Sequence, residues 1–468
     1  VFAQHGAKVA GIALRDGRGL VGVGVVKENG TLAGYRLVQH HAIRGPILMI
    51  QGNQPLIDAI RNRFAHVDSC PFQGPRIFFE NAGGALTLKS VVETSATYAA
   101  IPDNPGRVNP AGQGTQNVIN KAKSDLSTLM NASSGQFFVG ETGTELLFRM
   151  IRTACVNVPK GGKVIGSSIE HPATRSAARR WAEIAELDYV NVPHDDATGM
   201  VTAAEYTALM TPDVSVATIL HASPVTGMGM DVAAISKAIR AVSPDCFIIV
   251  DGIQHAAHGQ IDLSAYDVDG YAISPYKMFS RHGYGVAWIS DRLSALPHEM
   301  LIGAPATSWE FGTRDAGSYA TVSDVVDYFE WLGGEVSDET DRRAKIEAAG
   351  RAIHGYETHL TQSMIHGLGN LPGLKDMAHV TILAGEDNPA REGLVSIVVD
   401  GKASEDVVED LNQQGIRTHT RKADHYSGNV LSPLGLSDCI RISLCHYNTE
   451  QEVAQLLGAI KAMEPATA

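Results

Sequence analysis

Between about residue 118 and residue 250 the sequence alternates short β-rich runs with helical stretches of roughly 8–14 residues, and this rhythm is the strongest constraint on the fold. Helices are predicted at 118–130, 144–156, 172–185, 203–209 and 232–242, with strands at 136–139, 163–167, 187–192, 214–221 and 246–250 between them. Strands spaced by helices specify a layered α/β domain. Several of these strands are nearly continuous apolar runs, as expected where both sheet faces are covered by helices. Runs at 269–273 and 285–289 extend the sheet, and a helix over 318–332 leads out of it.

The ends of the chain have a different texture. The first 40 residues carry two apolar runs, Val21–Val26 and Leu32–Val38, around Glu28-Asn29-Gly30, which reads as a hairpin. Gly19, Gly22 and Gly24 resemble a dinucleotide loop only superficially, because the spacing is wrong and no helix follows. A short helix is predicted over 56–64, and a strand over 76–80 that runs into Asn81-Ala82-Gly83-Gly84. From Arg342 a long helix precedes strands at 379–383, 394–399 and 441–444 and helices at 403–413 and 451–461, the pattern of a second α+β domain. The expected division is an N-terminal extension over 1–42, a helical segment over 43–75 contributing to the small domain, a large domain over 76–335 and a small domain over 336–468.

With 38 basic and 51 acidic residues the net charge is −13, which excludes a generally basic nucleic-acid binder. Five scattered cysteines without a CxxC pair argue against a disulfide scaffold or zinc site. No apolar run is long enough for a membrane span and no signal-peptide pattern is visible, so a cytoplasmic protein is expected. The 47 glycines are more than usual and call for tight turns and close backbone approach.

In a parallel sheet, chemistry gathers at the C-terminal ends of the strands. Asp251 follows the run Ile248-Ile249-Val250, where a buried carboxylate needs a cationic partner. Lys277 follows Tyr271-Ala272-Ile273-Ser274-Pro275-Tyr276, where burial favours a neutral amine able to form an imine. Thr142-Gly143-Thr144-Glu145 opens a helix whose backbone N–H groups suit a phosphate. A phosphate at a helix start, an acid for a ring nitrogen and a lysine for an aldehyde together describe pyridoxal phosphate. Each alone has a plain structural reading: a surface lysine, an Asp-Gly turn, a helix cap.

Taken in order, several motifs resemble the class V aminotransferase and cysteine-desulfurase superfamily of fold-type I pyridoxal-phosphate enzymes over residues 76–465. They are Phe79-Glu80-Asn81-Ala82-Gly83-Gly84, Gly143-Thr144-Glu145, Glu170-His171-Pro172-Ala173 and His221–Gly227. Further along come Asp251-Gly252-Ile253-Gln254, Ser274–Lys277, Phe311–Asp315 and Arg441–Thr449. The resemblance implies an α/β large domain with a mainly parallel seven-stranded sheet sandwiched by helices, and a smaller α+β C-terminal domain. It implies that Lys277 forms the imine and moves protons, that Asp251 pairs with the ring nitrogen, and that His171 stacks on the ring. Gln254 would bond the ring hydroxyl. Gly143, Thr144, Ser274 and Tyr276 would hold the phosphate. Thr313 would reach a phosphate across a homodimer interface. Arg441 would anchor the α-carboxylate of a small amino-acid substrate, with Asn81 and the two glycines after it lining the entrance.

Departures from the family bear on the reaction. The stretch 416–428 contains no cysteine, so the nucleophile of a persulfide-forming desulfurase is missing. Pro224 stands where the family often has Asn, removing one donor near the ring. The Gly312-Thr313-Arg314-Asp315 form is similar to isopenicillin-N-epimerase-like members, where Arg314 would contact a second acidic group. The expected activity acts first on the α-carbon of an amino acid and then eliminates a group from Cβ, as in a cysteine or cystine C–S lyase, with transamination and epimerisation as alternatives and a non-catalytic protein retaining the fold as a further one. His255 and His258 lack metal spacing, and no metal is expected. His255 is expected beside the cofactor acid or facing the substrate, and His282 near the pocket. Even offsets would put Cys439, Arg441 and Cys445 on one strand face.

Overall fold

The computed structural model describes residues 49–464 together with the backbone of Leu14–Arg15, Val21–Val26 and Leu32–Arg36. The chain separates into a unit over Val1–Ile47 and a unit over Leu48–Ala468. In the first, Val21–Val26 pairs antiparallel with Leu32–Arg36, and Leu14–Arg15 adds a short third strand. The Glu28-Asn29-Gly30 turn lies outside the described residues.

The second unit is built on a seven-stranded sheet. Its strands are β1 (Gln136–Gly140), β2 (Lys163–Ser167), β3 (Asp188–Val192), β4 (Val214–Leu220), β5 (Phe247–Asp251), β6 (Gly270–Ile273) and β7 (Gly285–Ile289). They lie in the order β1-β7-β6-β5-β4-β2-β3. Pairing is parallel from β6 through β5, β4 and β2 to β3. Only β7 runs antiparallel to its neighbours β6 and β1. Helices α1 (Pro110–Met130), α2 (Gly143–Val156) and α3 (Pro172–Ile184) flank it.

The sheet is held by close burial. Val164, Val216, Ile249, Ala272 and Ile289 pack against Leu146, Leu147, Met150 and Ile151 of α2 and the alanines of α3. Each large aliphatic side chain so buried contributes about 1.5–3 kcal/mol. The alanines at 173, 177, 178 and 182 recur at helical spacing and give α3 a thin face, which lets it lie close to the sheet.

Two long helices, α4 (Ala316–Val336) and α5 (Arg342–His366), lead to a smaller four-stranded antiparallel sheet. Its strands are β8 (Val380–Ile382), β9 (Leu394–Val399), β10 (His419–Lys422) and β11 (Asp438–Ser443), in the order β8-β9-β11-β10. Helices α6 (Ser404–Gln413) and α7 (Glu450–Lys461) accompany it. This is the expected α/β fold with a smaller α+β part at the C-terminal end.

Some local expectations change. The strand predicted over 76–80 is reduced to Ile77–Phe78, and it pairs with Ile416–Arg417 rather than joining the large sheet. Arg76 is buried with its guanidinium on the carbonyls of His66 and Val67, which ties that segment to a nearby loop. The helix predicted from 118 starts at Pro110, where Asn109 caps it by accepting from the Gly112 amide. Strand β11 ends at Ser443, so alternation does not carry on to Cys445, which is not on the Arg441 face by register.

Candidate active site

Three strand ends and two helix starts meet at a cavity of about 160 Å³. Asp251 closes β5 and is buried. Its Oδ2 accepts from Thr174 Oγ1 at 3.0 Å and its Oδ1 from the Ile253 amide at 3.2 Å. Burial pushes its carboxyl above the usual range, only partly offset by those two bonds and by Lys277. Thr174 reaches it from the first turn of α3. Gly252 must lack a side chain, because a Cβ there would lie 2.1 Å from the Tyr271 ring.

Lys277 follows β6 through the short turn Pro275–Lys277. Its Nζ donates to Gln254 Oε1 at 3.1 Å. Burial, with the cations Arg441 and Arg421 nearby, pulls its amine down to about 7, against the opposing pull of Asp251. A lysine in this state is half neutral near pH 7 and so a competent nucleophile and base.

Helix α2 starts at the cavity. Thr142 caps it, accepting the Glu145 amide at 3.0 Å. The first amides of the helix have no carbonyl acceptor within it, which suits this end to an anion. Gly143 is required by crowding: a Cβ would come within 2.5 Å of both Ser274 Oγ and Ile253 Cδ1. His171 caps α3, with Nδ1 accepting the Ala173 amide at 3.2 Å. Burial and the cations Lys277, Arg421 and Arg175 push its imidazole down to about 3, so the ring is neutral. Beneath it Glu170 is buried and pushed up to about 8 by desolvation and by the Asp251 charge.

The cavity lining brings together Gly143, Thr144, His171, Asp251, Gln254, Ser274, Tyr276 and Lys277, with Pro224 at its wall. Arg441 stands next to that wall. It is buried, donates from Nη1 to the Pro224 carbonyl at 3.1 Å, and leaves Nε without a partner. A Cβ on Gly83 would sit 3.5 Å from Arg441 Nη2, and one on Gly84 3.3 Å from the Tyr276 ring.

Other residues singled out from the sequence fall elsewhere. Asn81 is buried with its amide fully engaged: Nδ2 donates to the Ser443 carbonyl at 2.8 Å and Oδ1 accepts from the Tyr447 hydroxyl. It ties the segment after Phe79 to β11 and is outside the cavity lining. Arg314 pairs with Glu141, and Thr313 is exposed; neither lines the cavity. His255 is buried away from the cavity lining, bonded to Glu392 at 2.8 Å and stacked on His221 at 3.6 Å. His282 is exposed and stacks on Tyr276 from outside, at 4.3 Å.

Residues that carried no role in the sequence also enter. In the small sheet His419 lies opposite Arg441 and Arg421 opposite Cys439, so both basic residues share the face that carries Arg441. Arg421 donates to Ser427 Oγ at 2.8 Å and stacks over Tyr426. Alternation along β10 was the only available signal, and its polar composition hid the strand. Thr174 had no signal at all.

The residues present fit pyridoxal phosphate. A buried carboxylate without a cationic hydrogen-bond partner suits a pyridinium nitrogen. A buried lysine, half neutral near pH 7, suits an aldehyde. A helix start crowded against Ser274 leaves a cradle that a Cβ would fill. Such a pocket lies where a mainly parallel α/β sheet gathers its chemistry, at the strand ends.

The chain belongs to the class-V aminotransferase family, whose model matches residues 77–317 and 344–456. It is a pyridoxal-phosphate-dependent enzyme of the cysteine-desulfurase and class-V aminotransferase type, and enzymes of this kind take small amino-acid-type substrates. A probable cysteine desulfurase of Xylella fastidiosa is 25% identical over 407 residues, covering 82% of this chain and 90% of that protein. The aminotransferase-like protein FGM3 of Gibberella zeae is 24% identical over 422 residues, covering 86% and 98%. The apo cysteine desulfurase of Thermococcus onnurineus superposes with a TM-score of 0.71 at 20% identity, over 83% of this chain and 94% of that one, a likeness of fold. Among the described residues no helix is long and apolar enough to cross a membrane.

Proposed function

We propose that this enzyme is a β-eliminating amino-acid lyase of the carbon–sulfur type that does not pass sulfur to a protein thiol. One observation carries the reaction type: the stretch 416–428 beside the cavity presents Arg421 and Tyr426 and contains no cysteine. Of the five cysteines, Cys155, Cys246, Cys439 and Cys445 are buried, and Cys70 lies in the hairpin Ser69–Cys70/Gly74–Pro75. A persulfide needs a thiolate at the substrate, whereas elimination needs only a base and stabilisation of a departing anion.

Bound pyridoxal phosphate supplies an electron sink for the electrons of a broken bond at the substrate Cα. The chain's own residues do the rest. Gly143, Thr144, Ser274 and Tyr276 would hold the phosphate, with the N-terminus of α2 behind it. Asp251, kept in place by Thr174, would pair with the ring nitrogen. His171, neutral and fixed by its cap bond, would pack on the ring. Gln254 would bond the ring hydroxyl. Arg441 takes the substrate α-carboxylate, which its unpartnered Nε supports. Lys277, with its amine near neutrality, would hold the Cα proton of the substrate at Nζ. Arg421 on the same sheet face favours a leaving group that departs from Cβ as an anion.

We also read the enzyme as a homodimer. Exposed Leu301 and Ile302, on the segment leading to exposed Thr313, form apolar surface that a second copy would cover, and Thr313 would then reach the partner's phosphate site.

An amino-acid panel with simultaneous product detection tests the reaction. Ammonia and a keto acid without an added acceptor are expected. Dependence on an α-keto acid would replace elimination by transamination, and chiral inversion without either product would replace it by epimerisation. Borohydride treatment is expected to leave the cofactor covalently attached at Lys277, and Lys277→Ala is expected to retain none after denaturation. A reducible link at another residue would sink the lysine assignment.

A further inference from the structure

Hydrogen bonding continues behind Lys277 into the protein. Gln254 accepts from Lys277 Nζ at Oε1, and its Nε2 lies 3.3 Å from His258 Nε2. His258 Nδ1 lies 2.7 Å from Glu357 Oε2. Gln254 and His258 follow β5, while Glu357 belongs to α5, so the chain of bonds crosses from the large sheet to the long helix. All three side chains are buried, at 5%, 3% and 1% exposure, so no bulk water competes for these bonds.

The donor and acceptor inventory fixes the direction of the chain. An amide nitrogen only donates, so with Gln254 Nε2 turned to His258 the imidazole in its neutral form has Nε2 as the bare acceptor, although, against the effect of burial, Glu357 raises that imidazole above its ordinary value. The imidazole proton then sits on Nδ1 and is given to the Glu357 carboxylate. The carboxylate sets the tautomer, the tautomer sets the amide, and the amide turns its oxygen toward Lys277. With a proton on His258 Nε2 instead, the amide would turn over and aim N–H at Lys277, an arrangement that only a neutral amine accepts.

We propose that His258 and Glu357 are positioning residues that hold the Gln254 amide with its oxygen toward Lys277, and so set the protonation of that lysine from behind the cavity. The proposal rests on the reading of Lys277 as the reactive amine. Other charges face these groups. Asp251, Arg441, Arg421 and His171 surround Lys277. Glu392, His255 and His446 surround His258, and His354 lies near Glu357. They stay in place in the variants below.

Cys445 completes a buried trio with His258 and Glu357, with ligand-type atoms within 4.8 Å of one another. A metal ion there is disfavoured by geometry. Two ligands of one tetrahedral zinc stand ~3.3 Å apart, given metal–ligand distances of ~2.0–2.1 Å, whereas His258 and Glu357 share a direct hydrogen bond at 2.7 Å.

The test uses the cofactor-free chain and pyridoxal 5'-phosphate, with borohydride trapping across pH and peptide mapping of Lys277. The midpoint of trapping reads the lysine's protonation. Hydrogen bonding to the charged form favours it, so Glu357→Met and His258→Leu each lower the midpoint, by about one pH unit. Glu357→Gln keeps an acceptor for Nδ1–H and stays near the parent value. In a Gln254→Leu background, itself lowered, neither substitution shifts the midpoint further. A shift that persists in that background, or no shift in the parent, overturns the proposal. So does one equivalent of zinc in the purified chain that Glu357→Met removes. If Glu357→Met does not fold, His258→Leu with and without Gln254→Leu decides alone. Absence of label on Lys277 in every variant would instead overturn the lysine reading.

Discussion

Replacing Lys277 by Met in the cofactor-free chain should alter stability in a way that depends on pH. Burial and nearby cations lower this amine from its ordinary value of 10.5 to about 7 in the folded chain. Between those values the unfolded chain binds more protons at this site than the folded one, so the folded chain gains stability as pH rises. Below pH 7 both states hold the proton and the folded state carries the whole penalty, about 5 kcal/mol at ~1.4 kcal/mol per pH unit. Met removes it, but leaves the Gln254 carbonyl without its donor and Asp251 without a nearby cation, an offset of about 1–2 kcal/mol. Lys277→Met is therefore expected to be more stable than the parent by about 3 kcal/mol at pH 6, with the difference falling to about zero at pH 9. Urea unfolding of both cofactor-free chains at pH 6, 7, 8 and 9 measures this, and the slope is the diagnostic quantity because the other titrating groups are shared. A difference that is flat across this range, or that grows with pH, would refute the reasoning that the surroundings of Lys277 lower its proton affinity.

Other substitutions probe the site in different ways. Gly143→Ala places a Cβ 2.5 Å from Ser274 Oγ, and cofactor affinity, read by equilibrium titration of its absorbance, should fall by about tenfold or more; unchanged affinity would show the cradle is not crowded. Thr174→Val removes one of two hydrogen bonds to a buried carboxylate, worth about 1.5–3 kcal/mol if Asp251 is charged. It should loosen cofactor binding by that amount while leaving the α3 start intact, and loss of fold by circular dichroism would contradict it. Arg441→Lys keeps the charge but not the forked geometry, so KM for the amino acid should rise by at least tenfold with cofactor affinity unchanged; an unchanged KM would remove Arg441 from substrate binding.

The layered α/β fold was legible because helix and strand periods are local properties, repeated often enough along 118–250 to be unambiguous. Asp251, Lys277 and the Gly143-Thr144 helix start were legible for a related reason: each follows an apolar strand directly, and strand ends are where a parallel sheet exposes side chains. Partners drawn from distant segments left no such trace. Thr174 meets Asp251 only because α3, packed over β2 and β3, brings its first turn to the end of β5, and its sequence neighbours say nothing of that contact. Arg421 was hidden because β10 is too polar to read as a strand, and only its register opposite β11 puts it on the Arg441 face. Asn81 looked available from its motif, yet its amide is consumed by Ser443 and Tyr447 across the interior. Alternation misplaced Cys445 because a strand's end is set by its pairing partners, not by its own residues. The sequence by itself determined the element types, the cofactor class and the residues at the strand ends, since these rest on local pattern and chemical identity. Only the tertiary structure decided which side chains are neutral, which are already bonded and which stand behind Lys277, because burial and hydrogen-bond partnership depend on surfaces brought together from hundreds of residues apart.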